Sequence, residues 1–310
     1  MTVAFISHPA FYAHDLGSYH PESPLRLQAI ERHLKSSGLS DALKRVEARS
    51  ASRAEILRVH RADYVDKLAE IDASREVVML DMDTGMCAGT LEAAWHAAGA
   101  LVQAVDLVLG GEADAAFCAV RPPGHHAEPD GAMGFCLFNN VALGAAHALE
   151  AHGIERVAIV DFDVHHGNGT ESAFRGREDV LFCSTFQHPY YPHTPTNETD
   201  ANIVCAPLPA GAGSKEFRAA VDDLWLPALR AFQPRLVLMS AGFDGHQEDF
   251  LGGLNLVDED YFWVTRQVIE ATRESAGGRV VSTLEGGYAL EALGRCVVQH
   301  IRALAGMKAR

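Results

Sequence analysis

The stretch VDFDVHHGNG, residues 160–169, places two carboxylates and two imidazoles within residues 161–166, directly behind the apolar run VAIV. A short apolar, β-branched run reads as a strand of a parallel sheet, covered on both faces and carrying its chemistry beyond the carboxyl end. Asp161, Asp163 and His165 are two apart, so an extended chain leaving the sheet aims all three to one side. That reading makes the chain an α/β protein and makes this strand end a candidate site.

The same alternation recurs along the chain. Short apolar runs over 3–7, 115–120, 157–162, 180–184, 203–208, 236–240 and 280–284 predict strands. Segments of helical periodicity over 24–36, 61–70, 89–109, 141–152, 216–232, 259–275 and 290–304 predict helices between them. In the first helix Ser23-Pro24 reads as N-cap and first-turn proline, with Gly38 as terminator. The expected fold is a single-domain, mostly parallel central sheet flanked by helices on both faces. Four polar clusters then fall on one rim: RPPGHH (121–126), DFDVHHGNG (161–169), SAGFDGH (240–246) and LEGGY (284–288).

The 310 residues, 48% hydrophobic and 22% charged, suffice for a large core. With no Pro/Ser/Gly-rich linker, repeat or low-complexity tract, residues 1–310 read as one domain. MTVAFISHPA lacks the pattern of a signal peptide, and no apolar run approaches the ~18 to 20 residues of a membrane span. Six cysteines without a C-x-x-C pair predict reduced thiols. Together these features predict a cytoplasmic protein without a membrane partner. A net charge of −15 argues against binding nucleic acid and allows long-range attraction of cationic partners.

The residues at the rim have a coherent chemistry. Asp163 and His165 at i and i+2 can reach one divalent ion, with Asp244 from another strand end as third ligand; two carboxylates and one imidazole leave positions open for water and substrate. The competing reading makes them hydrogen-bonding groups at strand ends. His125 and His126 follow two prolines and a glycine, and a neutral imidazole beside a metal-bound water is a suitable general base; alone, such a pair reads as surface loop. Tyr288, after Gly286-Gly287, can offer its phenol to a developing oxyanion, or can simply pack at the start of the last helix.

RPPGHHAEPDGAMGFCLFNN, VAIVDFDVHHGNGT, LVLMSAGFD and LEGGY, in this order, with HPESPLRLQAI near the start, closely resemble the zinc-dependent histone deacetylase superfamily. The likeness is greatest to its class II branch and to the bacterial deacetylase-like amidohydrolases. It implies an arginase/deacetylase-like fold and one catalytic zinc on Asp163, His165 and Asp244. His126 becomes the main acid-base group, and His125, backed by Asp161, a largely electrostatic one. Asn168 matches the class II partner of the base, and Tyr288 the oxyanion donor. Gly134, Phe135 and Tyr191 resemble the acyl-lysine channel, and Arg26 the arginine of an internal acetate cavity. The family also binds potassium. One site would use Asp161, the carbonyls of Asp163, His165 and Thr185, and the Ser184 hydroxyl; a second would use carbonyls near Phe174, Arg177 and Val180. The arginases, a related branch, hold two manganese ions with D-x-H-x-D; here Gly167 stands at the final position, which favours one metal.

The rim departs from the family's usual LHQ and PGTG patterns with TFQHPYYPHTP (185–195), which brings in His188 and His193, and GFDGHQED brings His246 near the site entrance. The resemblance implies an amidohydrolase that removes acetyl or other acyl groups from N-acetyl-lysine of proteins or peptides. The alternatives are an acetylpolyamine or other small cationic acylamide as substrate, and a noncatalytic acyl-lysine binder. Leu251 stands where polyamine enzymes of the superfamily carry a glutamate gatekeeper. An oligomer is compatible with these features.

Overall fold

The computed structural model describes residues 1–193 and 200–309. The strand behind the opening stretch, Val157–Asp161, is buried at every residue, as a strand covered on both faces must be. In chain order the strands are β1 Val3–Ser7, β2 Lys44–Glu47, β3 Val78–Met79, β4 Gly85–Met86, β5 Ala115–Cys118, β6 Val157–Asp161, β7 Val180–Gln187, β8 Ile203–Leu208, β9 Leu236–Ala241 and β10 Val280–Leu284. Eight of them form one sheet in the order β2-β1-β5-β10-β9-β6-β7-β8, and every pairing in it is parallel. β3 and β4 pair separately as an antiparallel hairpin.

The order explains the site. β5, β10, β9 and β6 are the four central strands, and each is followed by one of the four polar clusters. Parallel register brings those clusters to one rim, where open α/β sheets bind ligands.

Helices cover the sheet. Leu290–Leu304 packs against Leu25–Ser36 and Asp258–Ala271, and Thr90–Leu109 packs against Asn140–His152. The seven expected strands and seven helical segments all appear, with three differences of detail. Ser23 does not cap the first helix with its side chain; its carbonyl accepts from the Arg26 amide instead. Gly38 does terminate that helix, at φ +74°, with Leu39 N–H bonded to Leu34 O and Gly38 N–H to Lys35 O, a Schellman ending.

The segment expected as one helix over 216–232 is Ser214–Ala220, a π-helical Val221–Trp225, and Leu226–Phe232. Pro227 has no N–H to donate and crowds the preceding turn, which the wider π turn accommodates. The segment over 259–275 breaks at Thr272, whose hydroxyl bonds back to Val268 O at 2.8 Å. β2, the β3–β4 hairpin and the helices Arg53–Ile56 and Asn168–Phe174 were not expected. All six cysteines are free. No helix among the described residues is long and apolar enough to cross a membrane.

Candidate active site

β6 ends at Asp161, and the chain then bends, so the alternation continues by turns: Phe162 and Val164 enter the core while Asp161 and Asp163 remain buried and polar. Asp163, His165 and Asp244 each offer a ligand atom, and these atoms lie within 4.8 Å of one another. His165 Nδ1 is 3.0 Å from Asp163 Oδ1 and 3.3 Å from Asp244 Oδ2. The carboxylates are pinned from behind by backbone amides: Gly286 N–H donates to Asp163 Oδ2 at 2.8 Å and Val164 N–H to Asp244 Oδ1 at 3.0 Å. Asp244 Oδ2 is buried without a hydrogen bond.

Two glycines make this approach possible. A Cβ on Gly286 would lie 1.9 Å from Asp244 Oδ2 and 2.6 Å from Asp163 Oδ2, and one on Gly242 would lie 2.0 Å from Asp163 Oδ2. Burial and the neighbouring Asp163 push the Asp244 carboxyl up to about 7. Burial opposes charge on His165 too, but its hydrogen bond to Asp163 and the nearby Asp244 carboxylate outweigh it and raise the imidazole to about 10. Two crowded carboxylates, an imidazole nitrogen and an unbonded buried oxygen form a donor set that suits a divalent cation.

Among the described residues three other groups of His, Cys, Asp and Glu lie equally close together. Each has an arginine on one of its members. Arg295 Nε is 2.8 Å from Asp258 Oδ2 beside His246 and Cys296. Arg175 pairs with Glu171 beside His166 and Cys205. Arg58 donates to His147 Nδ1 at 2.6 Å beside Asp106 and His152. Among the described residues no arginine or lysine pairs with Asp163 or Asp244, which sets this group apart from the other three.

The two histidines after RPPG are buried. Glu285 holds their loop by accepting from Gly124 N–H at 2.7 Å and His125 N–H at 3.1 Å. His125 Nδ1 lies 2.9 Å from Asp161 Oδ2, and His126 Nδ1 lies 2.7 Å from Asn168 Oδ1. Burial disfavours charge on both. On His125 the attraction of Asp161 and Asp163 prevails and raises the imidazole to about 10; on His126, with only a neutral amide as hydrogen-bond partner and His125 and His165 adding repulsion, the pKa falls well below its ordinary value. The two environments thus pull the pair in opposite directions, towards the charged form for His125 and the neutral form for His126, the separation expected of groups with different catalytic roles.

These side chains face a cavity of about 200 Å³ whose lining includes His125, His126, His165, Gly286 and Tyr288. Gly134, Phe135, Tyr191 and Leu251, the four expected channel residues, all line it, together with Asp83, Pro123 and Tyr190. Gly134 and Phe135 have φ of 55° and 68°, and a Cβ on Gly134 would lie 2.4 Å from His126 Cδ2. This unusual backbone sets the Phe135 ring edge-on to Tyr288, 6.0 Å between centroids. Burial raises the Tyr288 phenol well above its ordinary pKa, so it stays a donor. Asp249, which the sequence did not reveal, accepts from the Tyr288 and Ala289 amides at 2.6 and 2.9 Å and from the Leu251 amide at 3.0 Å. It thereby ties the tyrosine to Leu251 on the cavity wall.

Arg26 is fully buried and does not line the cavity. It donates to Gly287 O at 2.7 Å and to Glu285 O, and pairs with Glu22, which Arg121 also engages. It clamps the turn that carries Tyr288. His246 is not at the site entrance: it is 2% exposed and pairs with Asp258 at 3.0 Å, because its loop folds back onto Leu256. His188 is bonded through its amide to Leu208 O and does not line the cavity, and His193 lines an adjoining groove with Glu128 and Asn168. Thr194 and Pro195 lie outside the described residues. The first potassium set is adjacent in space, Asp161 pairing with Ser184 across β6 and β7, with Thr185 next along β7. In the second, Asn202 Nδ2 donates to Phe174 O at 2.8 Å and Val180 O at 3.1 Å, while Arg177 N–H bonds to Phe174 O.

Comparison with known proteins identifies the family. The histone deacetylase domain matches residues 20–304. The chain is 37% identical over 297 residues to a histone deacetylase-like amidohydrolase of Pseudomonas aeruginosa, covering 93% of this chain and 78% of that one. It is also 37% identical over 302 residues to the human protein named polyamine deacetylase HDAC10, covering 92% of this chain and 44% of the relative. The solved HDA15 HD domain superposes with a TM-score of 0.91 at 31% identity, covering 100% of this chain and 91% of that structure. The chain belongs to the histone deacetylase family.

Proposed function

We propose that this deacetylase hydrolyses N-acetyl-lysine in proteins or peptides and depends on one zinc ion held by Asp163, His165 and Asp244. The observation that carries the reading is the donor set without a cationic partner at an aromatic-walled cavity that also contains His126 and Tyr288. Zinc bound there would polarise the amide carbonyl and acidify water.

The chain's own residues supply the rest. Phe135, Tyr191 and Leu251 offer apolar surface to the methylene stem of lysine, whose burial stabilises by about 0.8 kcal/mol per CH₂. His126 takes the proton of the attacking water at Nε2 and returns one to the leaving amine. His125, held charged by Asp161, stabilises the negative charge that develops. Tyr288 donates a hydrogen bond from its hydroxyl to the tetrahedral oxyanion. Arg26 is proposed to hold the Tyr288 turn and to face the path of released acetate. Potassium is proposed at the Asp161, Asp163, His165, Ser184 and Thr185 set, and at the carbonyls near Phe174, Arg177 and Val180, where it competes with the Asn202 amide. The proposal includes a cytoplasmic location.

A second reading, a small cationic acylamide such as an acetylpolyamine, is favoured by the Asp83 carboxylate in the cavity lining and by the net charge of −15. Leu251 in the lining, in place of an acidic side chain, favours the first. A kinetic panel of acetyl-lysine peptides, acetylputrescine and acetylspermidine on the zinc-loaded enzyme separates them. Peptide substrates are expected to show the higher kcat/KM; preference for the polyamines would establish the second reading, and no turnover of any of them would leave an acyl-lysine binder.

A further inference from the structure

We propose that Glu128 is a positioning residue: its carboxylate fixes the orientation of the Asn168 amide, and that orientation leaves His126 with an unprotonated Nε2 turned to the reaction. The inference rests on His126 as the proton-transfer group. Asn168 alone does not determine the tautomer. Its amide has an acceptor end and a donor end, and the two neutral forms of His126 can meet either: Nδ1–H can donate to Oδ1, or bare Nδ1 can accept from Nδ2. Only the first leaves a basic lone pair at Nε2. A half-turn of the amide exchanges the two cases.

The surroundings of Asn168 remove that freedom. Its Nδ2 lies 2.9 Å from Glu128 Oε1, 3.4 Å from the His126 carbonyl and 3.5 Å from Met133 Sδ. All three are acceptors, and the carboxylate is the nearest and the only charged one. Turned over, the amide would present its oxygen to these three and lose a charge-assisted bond. With Nδ2 committed to Glu128, Oδ1 faces His126 Nδ1 at 2.7 Å, and the proton belongs on Nδ1. An aspartate at position 168 would accept only and need no such orientation; with an amide there, the carboxylate stands one side chain further out.

Glu128 is itself held in place. Its amide bonds to Gly131 O at 2.9 Å, and its carbonyl lies 3.0 Å from His60 Nδ1, while His60 Nε2 accepts from the Asn139 amide at 2.8 Å. The hairpin turn carrying the carboxylate is thus tied to the start of the helix Asn140–His152, independently of the catalytic residues.

The test uses the zinc-loaded enzyme and the variants Glu128→Gln, Glu128→Asp, Asn168→Ala and the double variant Glu128→Gln/Asn168→Ala, with thermal midpoint and zinc content checked for each. Glu128→Gln is expected to lower kcat about tenfold, the scale for losing an outer partner that fixes an imidazole tautomer, with KM changed less than about twofold; Glu128→Asp should recover part of the loss. Because Glu128 acts through Asn168, the same substitution should have no further effect in the Asn168→Ala background. The nitrogen-15 shifts of the His126 ring should report Nδ1–H in the wild type and a mixture of tautomers in Glu128→Gln. An undiminished kcat, an equal loss in both backgrounds, or an unchanged tautomer would each overturn the proposal. If His126→Ala keeps full turnover, it is the base assignment that fails, and the ring shifts still report whether Glu128 sets the tautomer.

Discussion

Replacing His126 by alanine is expected to lower kcat by about two to four orders of magnitude, the scale of losing a positioned acid-base group, with zinc content and fold unchanged. The ring is buried at the cavity, hydrogen-bonded to Asn168 rather than to a carboxylate, and kept neutral by burial and by its two histidine neighbours. His125 cannot take over the role. Its Nδ1 is committed to Asp161 at 2.9 Å, and the nearby Asp161 and Asp163 favour its protonated form, which has no lone pair to accept the water's proton. Single-turnover rates with an acetyl-lysine peptide, measured on variants with verified metal loading, check this. Near-normal turnover of His126→Ala would reassign proton transfer to His125 and remove the division of labour inferred from the two environments.

Tyr288→Phe is expected to cost about a hundredfold or more in turnover, as for loss of one oxyanion-hole donor, with little change in thermal midpoint. The ring keeps its edge-on contact with Phe135 and its place under the Arg26 guanidinium, whose Cζ lies 4.9 Å from the ring centroid. The turn around it also survives, because Asp249 and Arg26 grip backbone atoms of residues 285–289 and not the phenol. Comparison of midpoint, affinity for a ground-state inhibitor and single-turnover rate isolates the hydroxyl. A variant that melts early yet turns over normally would make Tyr288 a packing residue.

The sequence made the central strands legible because a strand buried on both faces is built mostly of consecutive apolar residues, as VAIV and LVLM are. β2 escaped because Lys44–Glu47 lies at the sheet edge and three of its four residues are charged, leaving Val46 as its one apolar position. The candidate cation ligands, the two histidines and Tyr288 were readable because each sits at the carboxyl end of such a run, and four runs pointed to one rim. The residues that hold them were not. Glu285, Asp249 and Glu128 act through backbone amides and a side-chain amide, so their roles depend on a loop geometry that no spacing encodes. The glycines did leave a signal: Gly242 and Gly286 adjoin the site motifs because a Cβ there would occupy the place of a carboxylate oxygen. His246 shows the converse, a residue next to a motif whose loop carries it into an ion pair with Asp258.

The most direct test of the account is a crystal of the active enzyme measured on both sides of the zinc absorption edge, alongside activity recovered by titrating zinc into chelated protein. The account predicts one strong anomalous peak bounded by Asp163, His165 and Asp244, and activity that rises linearly to a plateau at one zinc per chain. Two fully occupied metals at that site, or a single peak at the His147, His166 or His246 group with activity that survives Asp163→Ala, would contradict it.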